Sequence, residues 1–220
     1  MITTFAFQRF QRMSMLSLLV AIQATMLFSC RADANQNIKR INMETEHLKE
    51  IYLAGGCFWG TEHYFKQIDG VVDTEVGFAN GTIANPTYKE VCTDKTGFAE
   101  TVHVTYDPAK VSLKFLLEMY FKAIDPTSIN RQGHDTGTQY RTGVYYTDKD
   151  DEAVINEVFA EEQKHINGKI AVENKPLQNF FKAEDYHQDY LDKNPDGYCH
   201  LPQSLFEFAR KAKDSHADRQ

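Results

Sequence analysis

No two cysteines of this chain stand in a Cys-x-x-Cys spacing, and there are only four, at positions 30, 57, 92 and 199. That removes the zinc ribbon and the thioredoxin-like dithiol motif. A basic excess is also missing: Lys and Arg total 24 against 31 Asp and Glu, for a formal net charge of −7. Residues 1–29 contain two Arg and no acids, so without them the remainder moves from −7 to −9. An acidic body of this kind argues against nucleic acid or anionic lipid as a target. There is no internal repeat and no low-complexity tract. The histidines, His187 and His200 among them, show no metal-ligand spacing and read as surface groups or supports of a site. Neither a metal nor a cofactor is therefore expected.

Long apolar runs are equally scarce. The one near the start, Met13 to Phe28, is too short for a comfortable bilayer span. It follows Arg9 and Arg12, and a basic segment before such a run is an export signal. The run leads into Leu27-Phe28-Ser29-Cys30, which resembles the bacterial lipobox, although Phe28 is bulkier than the usual small residue. The alternative is a membrane-anchor helix that is never cut. The expected organisation is a lipoprotein-type signal peptide at 1–29, a polar tether at 30–48 and one globular domain at 49–213. Cys30 would carry the lipid. The protein would then be exported and anchored to a bacterial membrane, facing the periplasm or the cell exterior.

Within the domain, the most informative stretch is Gly55-Gly56-Cys57-Phe58-Trp59-Gly60. It follows the apolar run Ile51 to Ala54 and precedes the helix-like run Thr61 to Ile68, giving the order strand, glycine turn, helix. A thiol at a helix N-terminus faces unpaired backbone N–H groups and the positive end of the helix dipole. Its pKa is expected to fall, leaving more nucleophilic thiolate. The glycines allow a sharp turn and close approach to a ligand. Phe58 and Trp59 could wall an apolar pocket. A buried structural cysteine in an ordinary turn is the competing reading.

Other elements follow from periodicity. Ala99 to Tyr106 alternates as a strand, Val111 to Ala123 has helical spacing, and Val144 to Tyr146 reads as a strand. Asp148 could cap a helix over Lys149 to His165 that Asn167-Gly168 ends. Lys169 to Val172 reads as a short strand, and Pro202 and Ser204 open a last helix through Arg210. Mixed helices and short strands fit α+β or α/β. Cys199 lies in the turn-rich Asn194-Pro195-Asp196-Gly197-Tyr198-Cys199, which suits a partner that swings in to form a transient disulfide. Cys92 lacks such a setting and is expected to be a small core residue. A permanent disulfide between two of the three remaining cysteines is the competing reading for an exported protein.

Five segments together resemble peptide methionine sulfoxide reductase A. They are Gly56-Cys57-Phe58-Trp59-Gly60, Asn85-Pro86-Thr87-Tyr88, Thr96-Gly97-Phe98-Ala99-Glu100, Asp135-Thr136-Gly137-Thr138-Gln139-Tyr140-Arg141 and Ala183-Glu184-Asp185-Tyr186-His187-Gln188. The likeness runs from Ile51 to Cys199. It implies an α+β fold, two layers with helices on a mixed β-sheet and a ferredoxin-like core. It implies reduction of methionine S-sulfoxide, free or in oxidised proteins, as protein repair under oxidative stress. Cys57 would attack the sulfoxide sulfur, Glu100 would supply the proton, and Tyr88 and Tyr140 would hydrogen-bond the oxygen. An acid in that role must have its pKa raised by an apolar surround. Phe58 and Trp59 would hold the S-methyl group, and Asp135 would support the site. The resulting sulfenic acid would be resolved by Cys199 as a disulfide, which a thioredoxin-like donor would reduce. The enzyme is expected to act as a monomer. Three positions depart from the pattern: Phe98 and Ile124 replace usual His residues, and His134 stands where Asn is common.

Two rival functions use the same residues. A Cys-dependent acyl hydrolase would pair Cys57 with His187 or His134 as base and would not need Cys199. A non-catalytic binding module would hold Cys57 and Cys199 as a permanent staple.

Overall fold

The protein is described from a computed structural model that covers residues 47–215. The signal peptide, nearly all of the tether and Cys30 lie outside the described residues. No helix among the described residues is long and apolar enough to cross a membrane.

A six-stranded mixed sheet organises the domain. Its strands are β1 (Lys49–Gly55), β2 (Val71–Ala79), β3 (Ala99–Tyr106), β6 (Thr142–Tyr146), β7 (Glu173–Pro176) and β8 (Phe180–Lys182). Two short strands, β4 (Arg131–Gln132) and β5 (Asp135–Thr136), pair separately. The spatial order is β7-β6-β1-β3-β2-β8, antiparallel throughout except for the parallel pair β6–β7. β1 lies between β3 and β6, and its residues Ile51 to Gly55 are all buried. A strand covered on both faces needs a continuous apolar run rather than alternation, and Ile51-Tyr52-Leu53-Ala54 supplies it.

The helices are α1 (Phe58–Phe65), α2 (Tyr88–Val91), α3 (Leu113–Ala123), α4 (Asp151–His165), α5 (Tyr190–Lys193) and α6 (Gln203–Lys211). α3 begins two residues later than the spacing suggested, because the Ser112 hydroxyl accepts the Phe115 N–H at 3.2 Å and fixes the start. Its apolar face, Phe115, Leu116, Met119 and Tyr120, joins a core with Leu53, Phe65, Val102 and Val144. The Tyr120 hydroxyl donates to the Ala54 carbonyl at 2.8 Å, tying this helix to the end of β1 next to the glycine turn.

Three expectations need correction, and one strand lies outside them. Asp148 does not cap α4; its carboxylate accepts the Asp150 N–H at 2.9 Å in the preceding turn, and the helix starts at Asp151. Lys169 to Val172 forms no strand, since Ala171 N–H bonds Pro126 O in a loop and pairing begins at Glu173. Cys92 is not a core residue: it is the exposed residue ending α2. β2 has no clear strand signature in the sequence, because the exposed Val72 and Asp73 blur its period and a register shift interrupts pairing near them.

Candidate active site

β1 ends at Gly55 and α1 starts at Phe58, so the chain reverses at Gly56 and Cys57. Gly56 has φ +85°, and a Cβ there would lie 2.6 Å from the Gln132 Cβ, so a side chain cannot be accommodated. Cys57 is the N-cap of α1 but makes no side-chain cap bond. The Thr61 hydroxyl secures the turn instead, reaching the Gly55 and Cys57 carbonyls at 3.2 Å each.

Cys57 is buried, with 6% of its surface exposed. Burial pushes its thiol pKa well up, and the neighbouring Glu100 carboxylate adds to the rise. The Trp59 N–H pulls the other way, as a helix start should, but does not prevail. The lowered thiol pKa expected from the helix N-terminus is thus overturned. Desolvating a charge in this apolar turn outweighs one oriented N–H group.

Glu100 lies under the turn, 1% exposed. Its Oε2 accepts the Phe58 N–H at 3.0 Å, while the buried Oε1 has no hydrogen-bond partner. Burial raises its pKa to about 8 against the opposing pull of the Phe58 N–H. At neutral pH the carboxyl is therefore mostly protonated, with one oxygen available to donate. The Tyr88 and Tyr140 hydroxyls pair with each other, and both tyrosine pKa values rise through burial and the nearby Glu100. Each remains a hydrogen-bond donor over the physiological range.

The aromatic residues assemble around this acid. The Phe58 ring lies 6.3 Å from Tyr88 and 5.9 Å from Phe78, and Trp59 stacks on Tyr190 at 3.7 Å. Asp135 Oδ1 accepts the Tyr198 hydroxyl at 2.9 Å, while its Oδ2 is buried without a partner. Cys199 is half-buried and close enough to act electrostatically on Cys57. A Cβ on Gly60 would sit 2.9 Å from the Cys199 sulfur, so that glycine lets the C-terminal segment rest against α1.

The structure thus gathers a helix-start thiol, a buried acid, two tyrosine hydroxyls and a second thiol around the turn between β1 and α1. Residues 49–219 match the family model for peptide methionine sulfoxide reductase. The chain belongs to the peptide methionine sulfoxide reductase A family. A reductase of this family from Clostridium acetobutylicum is 55% identical over 158 residues, covering 72% of this chain and 98% of that protein. One from Lachnoclostridium phytofermentans is 54% identical over 164 residues, covering 74% and 99%. Among solved structures, reduced Mxr1 from Saccharomyces cerevisiae superposes with a TM-score of 0.69 at 41% identity, covering 71% of this chain and 92% of that one. The Corynebacterium diphtheriae methionine sulfoxide reductase A gives 0.64 at 38% identity, covering 71% and 84%. The protein is accordingly a peptide-methionine (S)-S-oxide reductase working by thiol chemistry. Membership displaces both the acyl hydrolase and the non-catalytic module.

Spacing alone gave no hint of two histidines in this reductase site. His187 is buried, its Nδ1 accepting the Trp59 indole N–H at 3.1 Å, and its ring lies 4.5 Å from Tyr88. Burial lowers its pKa, which keeps the imidazole neutral and able to accept. His200 is wedged between Gly56 and Gly60, both ring nitrogens buried with no side-chain partner and the Gly55 backbone beside them. The only signal in the sequence was its position directly after Cys199. Phe98, in contrast, turns away to cover Gly81 and meets Phe181 edge-on at 5.8 Å.

Proposed function

We propose that Cys57 performs the oxygen transfer and Glu100 supplies the proton. The observation that carries this is the unpaired, buried Oε1 of a carboxyl with a pKa near 8, whose other oxygen is bound to the N–H next to Cys57. Glu100, Tyr88 and Tyr140 hydrogen-bond the sulfoxide oxygen, drawing electrons from sulfur. Phe58 and Trp59 enclose the S-methyl group, with His187 holding the indole in place. The Cys57 sulfur attacks, the oxygen passes to it, and methionine leaves, giving Cys57–SOH. The thiol proton and the Glu100 proton exchange through the carboxyl, so the acid is restored. Cys199–SH then displaces water from the sulfenic acid, forming the Cys57–Cys199 disulfide. Asp135 supports this end of the site through Tyr198.

A thioredoxin-like dithiol donor reduces that disulfide. Supporting its access, Cys199 borders a cleft of about 610 Å³ lined with His63, Leu191, Pro195 and Phe206. The fold is read as ferredoxin-like at its centre: β1-α1-β2-β3-α3-β6 is a βαββαβ unit, and its strands lie in the order fourth, first, third, second. The lipoprotein signal at 1–29, the tether at 30–48, the domain at 49–213, anchoring through Cys30 and a monomeric state belong to the same proposal. Arg9, Arg12 and Leu27-Phe28-Ser29-Cys30 support the anchoring.

The test is single-turnover reduction of resolved methionine sulfoxide epimers by the prereduced enzyme. Wild type should convert the S epimer and leave the R epimer nearly untouched, because fixed methyl and oxygen sites accept one handedness at sulfur. Cys57→Ser should yield no methionine. Appreciable product from that variant would remove Cys57 from the attacking role.

A further inference from the structure

The sulfur of Cys57, a carboxylate oxygen of Asp135 and a ring nitrogen of His200 lie within 4.8 Å of one another. Reduction of a sulfoxide does not require these three groups to converge. Asp135 Oδ2 is buried without a hydrogen-bond partner, and both His200 ring nitrogens are buried with no side-chain partner; with the imidazole N–H toward the Gly55 backbone, the other nitrogen keeps one lone pair for a ligand. Buried polar atoms of this kind ordinarily find a partner. Thiolate, imidazole and carboxylate together form a borderline-soft donor set suited to zinc. Metal–ligand bonds of about 2.0–2.3 Å put tetrahedral ligand atoms roughly 3.3–3.7 Å apart, so side-chain movements of about 1 Å would close the site.

We propose that the reduced enzyme binds one zinc ion, or a comparable thiophilic divalent ion, through Cys57, Asp135 and His200, and that the ion reversibly blocks the enzyme. On binding, the Cys57 thiol loses its proton to solvent and a sulfur–metal bond forms; no electron is transferred. The blocked sulfur can neither attack a sulfoxide nor be oxidised. Formation of the Cys57–Cys199 disulfide removes the thiolate ligand, so only the reduced form binds. The inhibition rests on Cys57 being the attacking thiol, whereas the binding does not.

The experiment titrates zinc chloride into the full-length protein reduced with a phosphine, measuring bound zinc and thermal unfolding, with single-turnover assays in parallel. One zinc per chain is expected, with inhibition relieved by raising the sulfoxide concentration and by a chelator. Cys57→Ser, Asp135→Asn and His200→Asn should each weaken binding by about 10-fold or more, a loss that changes around metal ligands commonly cause. Cys92→Ser should bind normally, and the disulfide form should not bind. The site is overturned if no zinc is retained, if the folded His200→Asn and Asp135→Asn variants bind as wild type, or if Cys92→Ser loses the metal. Zinc bound as described by a protein in which Cys57→Ser still reduces sulfoxide would uphold the site and overturn the catalytic assignment instead.

Discussion

Replacing Glu100 with Gln keeps the shape and an oxygen to accept the Phe58 N–H, but removes the ionisable proton. The pKa rise from 4.5 to about 8 sets what that proton does. At pH 7 a carboxyl with a pKa near 8 is about 90% protonated, against roughly 0.3% for an ordinary one, so burial raises the supply of acid about 300-fold. General-acid help is typically worth about 10²–10⁴-fold, so Glu100→Gln should slow single-turnover methionine formation by that factor with little change in substrate binding. The wild-type rate should also fall above about pH 8 as the acid ionises, a limb missing from the variant. Wild-type stability should fall with pH as well, and the substitution should relieve that loss. A raised folded pKa in a carboxylic acid means the folded state holds its proton more tightly than the unfolded chain. The penalty is absent below the unfolded pKa, grows as pH rises through the window from 4.5 to about 8, and is complete above it. At about 1.4 kcal/mol per pH unit its ceiling is about 5 kcal/mol. Glu100→Gln should therefore be the more stable protein at pH 9, measured by denaturant unfolding. A variant with a near-normal single-turnover rate, or one whose stability declines with pH as steeply as wild type, would refute the neutral-acid argument.

The other predictions concern resolution. Cys199→Ser should still make about one equivalent of methionine, then stall with a thioredoxin-type donor, because such a donor attacks a disulfide; dithiothreitol should partly rescue it. Cys92→Ser should leave both measurements nearly unchanged, as befits its exposed position at the end of α2, and normal turnover by Cys199→Ser with loss in Cys92→Ser would reverse the assignment. Gly60→Ala places a Cβ 2.9 Å from the Cys199 sulfur and 3.1 Å from the His200 ring. It should lengthen the sulfenic acid lifetime, read by trapping with a dimedone-type reagent, while the first turnover stays near normal; an unchanged lifetime would show that Cys199 does not resolve from this position.

Local sequence determined much of this protein. Ala99 to Tyr106 could be bounded as a strand from its alternation, and it forms β3 with those bounds. The glycine-flanked Cys57 could be placed at a strand-to-helix turn because Gly56 needs a backbone conformation that other residues resist. The proposed catalytic set Cys57, Glu100, Tyr88, Tyr140 and Cys199 came from motif likeness, and the fold brings its members together around the start of α1. What the chain pattern could not carry was anything set by burial or by distant partners. β2 and β8 depend on each other, with Phe180 occupying the space that a side chain on Gly77 would need. His187 meets Trp59 across 128 residues of sequence, and His200 meets Asp135 and Cys57 only when the C-terminal segment folds back. The direction of the Cys57 shift was decided in the same way. A helix N-terminus is visible in the sequence and favours thiolate, but desolvation depends on what the whole fold packs around the sulfur, and in that dry turn it is the larger effect.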